Sequence, residues 1–263
     1  MTASLIDAIV AAGRRATAER EARVPLAALT GRRRRDPGAF RNALETGPVP
    51  RIIAECKRRS PSRGVLRAAY DPAAIAASYE KAGAAAISVL TEPAFFDGAL
   101  DHLRAVRAAV GAPILRKDFV VTAYQIAEAA DAGADAVLLI VAALDDAALK
   151  ALMRAAAEYG LDALVEAHDE TEIDRALAAG ARIIGVNSRN LHTLEVDPGA
   201  PAALAARIPE GVIAVAESGI RDGRAIASLG AAGYRACLIG ERLMVSDDPG
   251  HALRALIAES RAA

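Results

Sequence analysis

The sequence predicts an α/β fold, a closed (β/α)8 barrel with an extra N-terminal helical segment, and three observations carry that prediction. Four Ala-rich helical stretches end on glycine, in Lys81-Ala82-Gly83-Ala84, Asp131-Ala132-Gly133-Ala134, Ala178-Ala179-Gly180-Ala181 and Ala231-Ala232-Gly233-Tyr234, at intervals of 50, 47 and 53 residues. Glycine at such a place reads as a helix C-cap, because only it adopts the left-handed conformation cheaply. Each is followed within a few residues by an apolar run, at 86–90, 136–141, 183–186 and 236–239. Four more runs, at 52–56, 114–117, 162–166 and 212–217, fall between them, after Gly47, Gly111, Gly160 and Gly211. Eight continuous apolar strands alternating with helices suit a parallel sheet covered on both faces. An open doubly wound sheet shares that pattern. Eight units of near-equal length favour the barrel, and no Gly-x-Gly-x-x-Gly follows the first strand to support a dinucleotide fold.

The chain reads as one domain, with a barrel over 47–263 and a helical extension over 1–46. In the extension, Leu5, Ile6, Ile9 and Val10 form an apolar stripe, so residues 3–22 are expected to be an amphipathic helix. Gly31-Arg32-Arg33-Arg34-Arg35-Asp36-Pro37-Gly38 follows, a basic turn between breakers, read as a solvated loop rather than a nucleic-acid contact. Phe40, Ala43 and Leu44 suggest a short helix leading into the first strand.

Composition narrows the function. Of 263 residues 53% are hydrophobic, enough for a large core, yet no apolar stretch approaches the length of a membrane span. Asp7 interrupts the short N-terminal apolar stretch and no cationic segment precedes it, so no signal peptide is expected. Lys and Arg number 32 against 33 Asp and Glu, a balance that argues against nucleic-acid or membrane-surface binding. The two cysteines, Cys56 and Cys237, lack metal-ligand spacing and fit a reducing cytoplasm. A disulfide between them is geometrically conceivable, since strands 1 and 8 adjoin in a barrel, but that setting disfavours it.

Barrel enzymes work at the C-terminal ends of their strands. Those ends here carry Glu55 and Lys57 (strand 1), Thr91 and Glu92 (strand 2), Lys117 (strand 3), Glu166 (strand 5), Asn187 (strand 6) and Glu217 (strand 7). Strand alternation sends Glu55 and Lys57 to one face and Cys56 to the other. Charges at several buried strand mouths are costly unless they share a task. Two lysines facing three glutamates can divide into a general acid and a general base, desolvation and other cations lowering a lysine pKa and carboxylates raising it.

Phe96, Phe119, Leu138 and Leu191 could hold a flat apolar group. Ser218 and Gly219 after strand 7, and Leu238, Ile239, Gly240 and Glu241 at the end of strand 8, suggest a phosphate cradle of backbone N–H groups. Glu241 is expected to turn its side chain away from such a dianion. Arg189, in Asn187-Ser188-Arg189-Asn190, can fork onto a carboxylate or phosphate. The expected substrate is a small molecule with a phosphate at one end, an apolar ring at the other and a second anion. His102, His168, His192 and His251 lie far apart in the sequence and read as surface or loop histidines, with neither a metal nor a cofactor expected.

The motifs jointly resemble the indole-3-glycerol phosphate synthase family. They are Ile53-Ala54-Glu55-Cys56-Lys57 with Ser60-Pro61-Ser62-Arg63-Gly64, Ser88-Val89-Leu90-Thr91-Glu92, Leu115-Arg116-Lys117-Asp118-Phe119, Leu164-Val165-Glu166-Ala167-His168, Asn187-Ser188-Arg189-Asn190-Leu191 and Ala216-Glu217-Ser218-Gly219. The resemblance implies a lyase of tryptophan biosynthesis that turns 1-(2-carboxyphenylamino)-1-deoxyribulose 5-phosphate into indole-3-glycerol phosphate, with loss of carbon dioxide and water. It implies Lys117 as general acid, Glu166 as the proton-transfer group in dehydration, Lys57 on the substrate carboxylate or as an assisting acid, and Glu55 tuning the lysines. Asn187, Arg189 and Glu217 would orient the substrate. Ser218, Gly219, Gly240 and the Glu241 backbone would hold phosphate, and Phe96, Phe119 and Leu138 the anthranilate ring, with Ser60, Leu191, Leu238 and Ile239 beside them. The resemblance leaves room for association with other enzymes of the tryptophan pathway.

The chain departs from the family pattern at Arg242, where a small serine is usual, at Arg63 in place of the more frequent lysine, and at Cys56 in place of an aliphatic residue. Two rivals stay open. A phosphoribosylanthranilate isomerase-like barrel would need a catalytic cysteine at a strand end, and a silent barrel would bind a phosphorylated metabolite without turnover.

Overall fold

A computed structural model of the chain describes residues 5–29, 37–190 and 193–263. Residues 31–36 of the basic turn, with Leu191 and His192, lie outside the described residues. Eight parallel strands close a barrel: β1 (Arg51–Cys56), β2 (Ala86–Leu90), β3 (Ile114–Lys117), β4 (Ala136–Ile140), β5 (Asp162–Ala167), β6 (Ile183–Asn187), β7 (Ile213–Glu217) and β8 (Ala236–Ile239), with β8 pairing back onto β1. Each strand lies within one or two residues of its predicted place. The fourth stops at Ile140, with Val141 opening a 3-10 turn, and Thr91 and Glu92 sit just past the end of β2.

The main helices are α1 (Leu5–Arg23), α2 (Ala39–Glu45), α3 (Pro72–Lys81), α4 (Pro93–Phe96), α5 (Leu100–Ala109), α6 (Ala123–Ala132), α7 (Asp146–Glu158), α8 (Glu170–Ala179), α9 (Ala200–Leu204), α10 (Gly223–Ala231), α11 (Glu241–Met244) and α12 (Pro249–Ala262). Their starts are encoded locally. Asp71, Asp145, Asp169, Asp222 and Asp248 each accept a backbone N–H of the following first turn, and Thr122 and Gln125 make a reciprocal capping box on α6. Such caps satisfy donors that the helix itself leaves unpaired. Gly133 and Gly180 end α6 and α8 with φ of +94° and +88°.

Period-two alternation divides the strands between two apolar layers. Ile53, Leu115, Leu138, Leu164, Ile183, Val215 and Leu238 fill the barrel interior. Ile52, Cys56, Ile114, Val137, Val165, Ile184 and Cys237 pack against the helices instead. Phe40 and Leu44, both fully buried, plug the N-terminal mouth from α2. Arg51 and Arg235 donate to the Ala43 and Leu44 carbonyls, supplying partners the C-terminal end of α2 lacks internally.

The register also rules out the conceivable disulfide. Cys237 pairs with Ile52, four residues short of Cys56, which separates the two along the strands by roughly 13 Å, beyond the reach of an S–S bond. Both thiols are free and buried.

Helix α1 crosses the C-terminal mouth and packs on α4, α6 and the turn at Val141–Ala143. Ile6 and Ile9 are buried beneath it, and Arg20 forks onto Glu128 of α6 at 2.6 and 2.9 Å. No helix among the described residues is long and apolar enough to cross a membrane.

Candidate active site

Alternation that fills the barrel interior with apolar side chains continues upward into charged ones. Ile53 is followed on the same face by Glu55 and Lys57, Leu115 by Lys117, Leu164 by Glu166, and Val215 by Glu217. All five charged residues, with Asn187, line one cavity of about 610 Å³ at the C-terminal mouth. Phe96, Phe119, Leu138, Arg189, Ser218, Gly219, Leu238, Ile239, Gly240 and Glu241 border the same space. Ser60 lines a smaller adjoining pocket of about 80 Å³, roofed by Ile6 and Ile9 of α1 with Phe96 and Phe119 below. Leu191 lies outside the described residues.

Lys117 is the hub. Its Nζ is 2.9 Å from Glu166 Oε2 and 3.2 Å from Glu217 Oε2. Burial opposes its charge, but Glu166, Glu217 and Glu55 together outweigh burial and hold its pKa above the ordinary lysine value. The resting site therefore presents an ammonium, a loaded proton donor. Burial also works against the Glu166 charge, yet Lys117 and His168 win and depress its pKa to about 2. Glu217 has the opposite fate. Burial and the neighbouring Glu166 push it up to about 8 against the pull of Lys117, and neither of its oxygens has a well-aligned hydrogen bond among the described residues. Two close carboxylates around one cation thus divide into an ionised one and a protonated one.

The other lysine has its own partner, with Lys57 Nζ 2.5 Å from Glu55 Oε1. Space for both glutamates depends on glycines. A Cβ at Gly240 would land on the Glu55 carboxylate, and one at Gly185 on that of Glu217. Asn187 adds to the influences that lower the Glu166 pKa, and its side-chain oxygen accepts the Arg189 backbone N–H at 3.0 Å.

Second-layer contacts hold the cavity walls. Glu92 accepts the backbone N–H groups of Ala94, Phe95 and Phe96 and so fixes the turn carrying Phe96. Beneath Phe119, the outward-facing Arg116 is buried against Asp118 at 2.8 Å, Thr91 at 3.1 Å and the Gln125 carbonyl at 2.7 Å. Asp118 and Gln125 then hold the Phe119 N–H and C=O. Glu92 stands at the strand end where the sequence places it, whereas Arg116 and Gln125 escape a reading by sequence because Arg116 joins Thr91 of one loop to Gln125 of α6.

Several expectations change. Glu241 does not turn out of the cavity. Arg63 Nε lies 2.9 Å from its Oε1 and Arg189 Nη2 3.8 Å from its Oε2, so two cations offset its charge at the rim. Arg189 spends its other nitrogen on the Leu194 carbonyl. Arg242 also borders the cavity. His168 is a loop histidine, just past β5, but it is turned inward with its ring against Glu166. Its place two residues past Glu166, the same-face spacing of a strand, was the available signal.

Cys56 faces the helical layer, where burial pushes its thiol up, so it is not placed as a cavity nucleophile. Among the described residues no group of three His, Cys, Asp or Glu side chains could hold a metal ion.

Comparison with known proteins gives the family. A family model described as "Indole-3-glycerol phosphate synthase" matches residues 6–256. An indole-3-glycerol phosphate synthase of Parafrankia sp. (strain EAN1pec) is 54% identical over 88% of this chain and 87% of its own length. Another, of Mycolicibacterium gilvum, is 49% identical over 97% and 94%. Among solved structures, a thiamine phosphate pyrophosphorylase from Pyrococcus furiosus has a TM-score of 0.63 over 81% of this chain and 96% of its own, at 16% identity, a likeness of fold alone. The chain belongs to the indole-3-glycerol phosphate synthase family, carboxy-lyases of tryptophan biosynthesis acting on a small phosphorylated substrate.

Proposed function

We propose that Lys117, Glu166, Lys57 and Glu55 carry the ring closure of 1-(2-carboxyphenylamino)-1-deoxyribulose 5-phosphate, with Asn187, Arg189 and Glu217 orienting it. The observation that carries this reading is the Lys117 ammonium held between Glu166 and Glu217 on the cavity floor. When the ring carbon bearing the carboxylate attacks the ketone, negative charge grows on the ketone oxygen. Lys117 donates the proton that quenches it. Departure of carbon dioxide restores aromaticity. The new hydroxyl then leaves as water, which needs an acid at the oxygen and a base for the remaining proton. Glu166, kept ionised, takes the remaining proton, and Lys57, freed of the substrate carboxylate once carbon dioxide has left, protonates the departing hydroxyl. Lys57 meets the substrate carboxylate, with Glu55 holding it in place.

The apolar walls Phe96, Phe119 and Leu138 suit the anthranilate ring. Backbone N–H groups around Ser218, Gly219, Gly240 and Glu241 suit the phosphate, with Arg242 close enough to add charge. The roof supplied by α1 keeps bulk water from the ring end. We take the chain as one working unit, a barrel over 47–263 and its extension over 1–46, located in the cytoplasm. Contact with neighbouring enzymes of the tryptophan pathway completes this reading.

The chain contains no tryptophan, so indole fluorescence has little background. Purified protein given the anilino-deoxyribulose phosphate is expected to develop that signal, and Lys117→Ala to lose it by at least a hundredfold. A wild-type protein that folds and binds without turnover would return the silent-barrel reading, and an active Lys117→Ala would remove Lys117 from the chemistry.

A further inference from the structure

Glu166 is almost fully buried and is approached at both carboxylate oxygens. Lys117 Nζ holds Oε2 at 2.9 Å, whereas Oε1 faces His168 Nε2 at 3.5 Å. His168 is itself braced from outside. Glu172, in the first turn of α8, accepts both the His168 backbone N–H at 2.8 Å and ring Nδ1 at 3.0 Å. We propose that His168 is a positioning residue for Glu166: braced by Glu172, it presents a cationic Nε2–H to Oε1 and fixes the carboxylate across from Lys117.

The argument is one of proton placement. An ionised carboxylate only accepts hydrogen bonds, so Nδ1 next to Glu172 carries a proton. Nε2 is buried and has no hydrogen-bond partner among the described residues. Were it unprotonated, its lone pair would face the Glu166 carboxylate with nothing between them. A proton there turns the contact into a charge-assisted one that a slight ring movement closes. The groups facing the ring are all acidic: Glu166 from β5, Glu172 from α8 and Glu217 from β7, with Lys117 of β3 as the cation beyond Glu166. Burial opposes the imidazolium, but Glu172 and Glu166 outweigh it and raise the His168 pKa. The clamp keeps Glu166 an anion while Lys117 gives up its proton, and in that respect it rests on the proton-transfer role proposed for Glu166.

Two measurements on the full chain test it. Imidazole 15N spectra should show His168 still doubly protonated above its ordinary value of about 6.5, and Glu172→Gln should lower that titration by about one pH unit or more. In kinetics, His168→Asn should shift the acid limb of the kcat profile upward by about one unit, roughly a tenfold loss on that side, with KM little changed. Glu172→Gln should shift it the same way by less. A His168 ring already neutral at pH 6.5 overturns the proposal. So does an unmoved acid limb in both variants beside an inactive Glu166→Gln. Full activity in Glu166→Gln would instead overturn the role given to Glu166, and the clamp with it.

Discussion

The carboxyl group of Glu217 occupies the space that Gly185 leaves empty. A Cβ at residue 185 would fall on Glu217 Oε1 and within 3.3 Å of Leu164. Gly185 lies on β6 directly beside Glu166 of β5 in register. It is therefore needed for clearance, not for an unusual backbone angle. Gly185→Ala should push Glu217 off Lys117, lowering kcat at least tenfold and stability by about 1–3 kcal/mol. Steady-state kinetics with urea unfolding would show it, and an unchanged kcat would mean that Glu217 has room to spare.

Glu217 also makes a pH prediction. Its folded pKa is raised, from 4.5 to about 8, so the native state holds this proton more tightly than the unfolded chain. The associated stability is complete below pH 4.5 and is lost as pH rises through about 8. Glu217→Gln cannot ionise. Its melting temperature should therefore gain on wild type between pH 5 and pH 9. A gap that stays constant across that range would place Glu217 as an ordinary carboxylate.

Arg20 ties α1 to the barrel through Glu128, and Glu128 also lies 3.5 Å from the buried Arg116. Arg20→Met should cost about 1.5–3 kcal/mol, the range for hydrogen bonds to charged groups. It should raise KM more than it lowers kcat, because the roof carrying Ile6 and Ile9 loosens while Lys117 keeps its partners. A kcat effect equal to that of a catalytic substitution would contradict this division.

Phe40 belongs to the opposite mouth and should affect only stability. It is fully buried under the barrel, so Phe40→Ala should cost about 3–5 kcal/mol. The fraction that remains folded should turn over at the wild-type rate. A kcat change in that fraction would show that the two ends of the barrel are coupled.

Cys56 separates the assigned chemistry from a cysteine-dependent isomerase. Its side chain lies among helix-facing apolar groups, so Cys56→Ala should keep full turnover with a small loss of stability. Abolished activity in a folded Cys56→Ala protein would require a different mechanism.

Much of the site was legible because barrel strands alternate strictly. Once Ile53 and Leu115 are taken as interior, Glu55, Lys57 and Lys117 must point into the mouth. Helix ends were equally local. The surroundings of Gly133 and Gly180 mark them as C-caps, and both take the left-handed conformation. Less legible was the direction of the lysine shift. Opposing influences were visible in the composition of the rim, but only the distances from Lys117 Nζ to Glu166 and Glu217 decide that the carboxylates prevail.

The sequence by itself determined the strand and helix order, the inward set of charged side chains and the family, because these follow from local periodicity, capping and short motifs. Only the tertiary structure decided which charges meet. Barrel closure sets strands at a stagger, and that stagger brings Glu217 of β7 and Glu166 of β5 to one ammonium on β3. Placement of α1 over the mouth, the Glu241 contacts with Arg63 and Arg189, and the Glu172–His168–Glu166 alignment likewise depend on that packing. Coulomb energy varies with separation and burial, and for residues far apart in the chain both quantities exist only after folding.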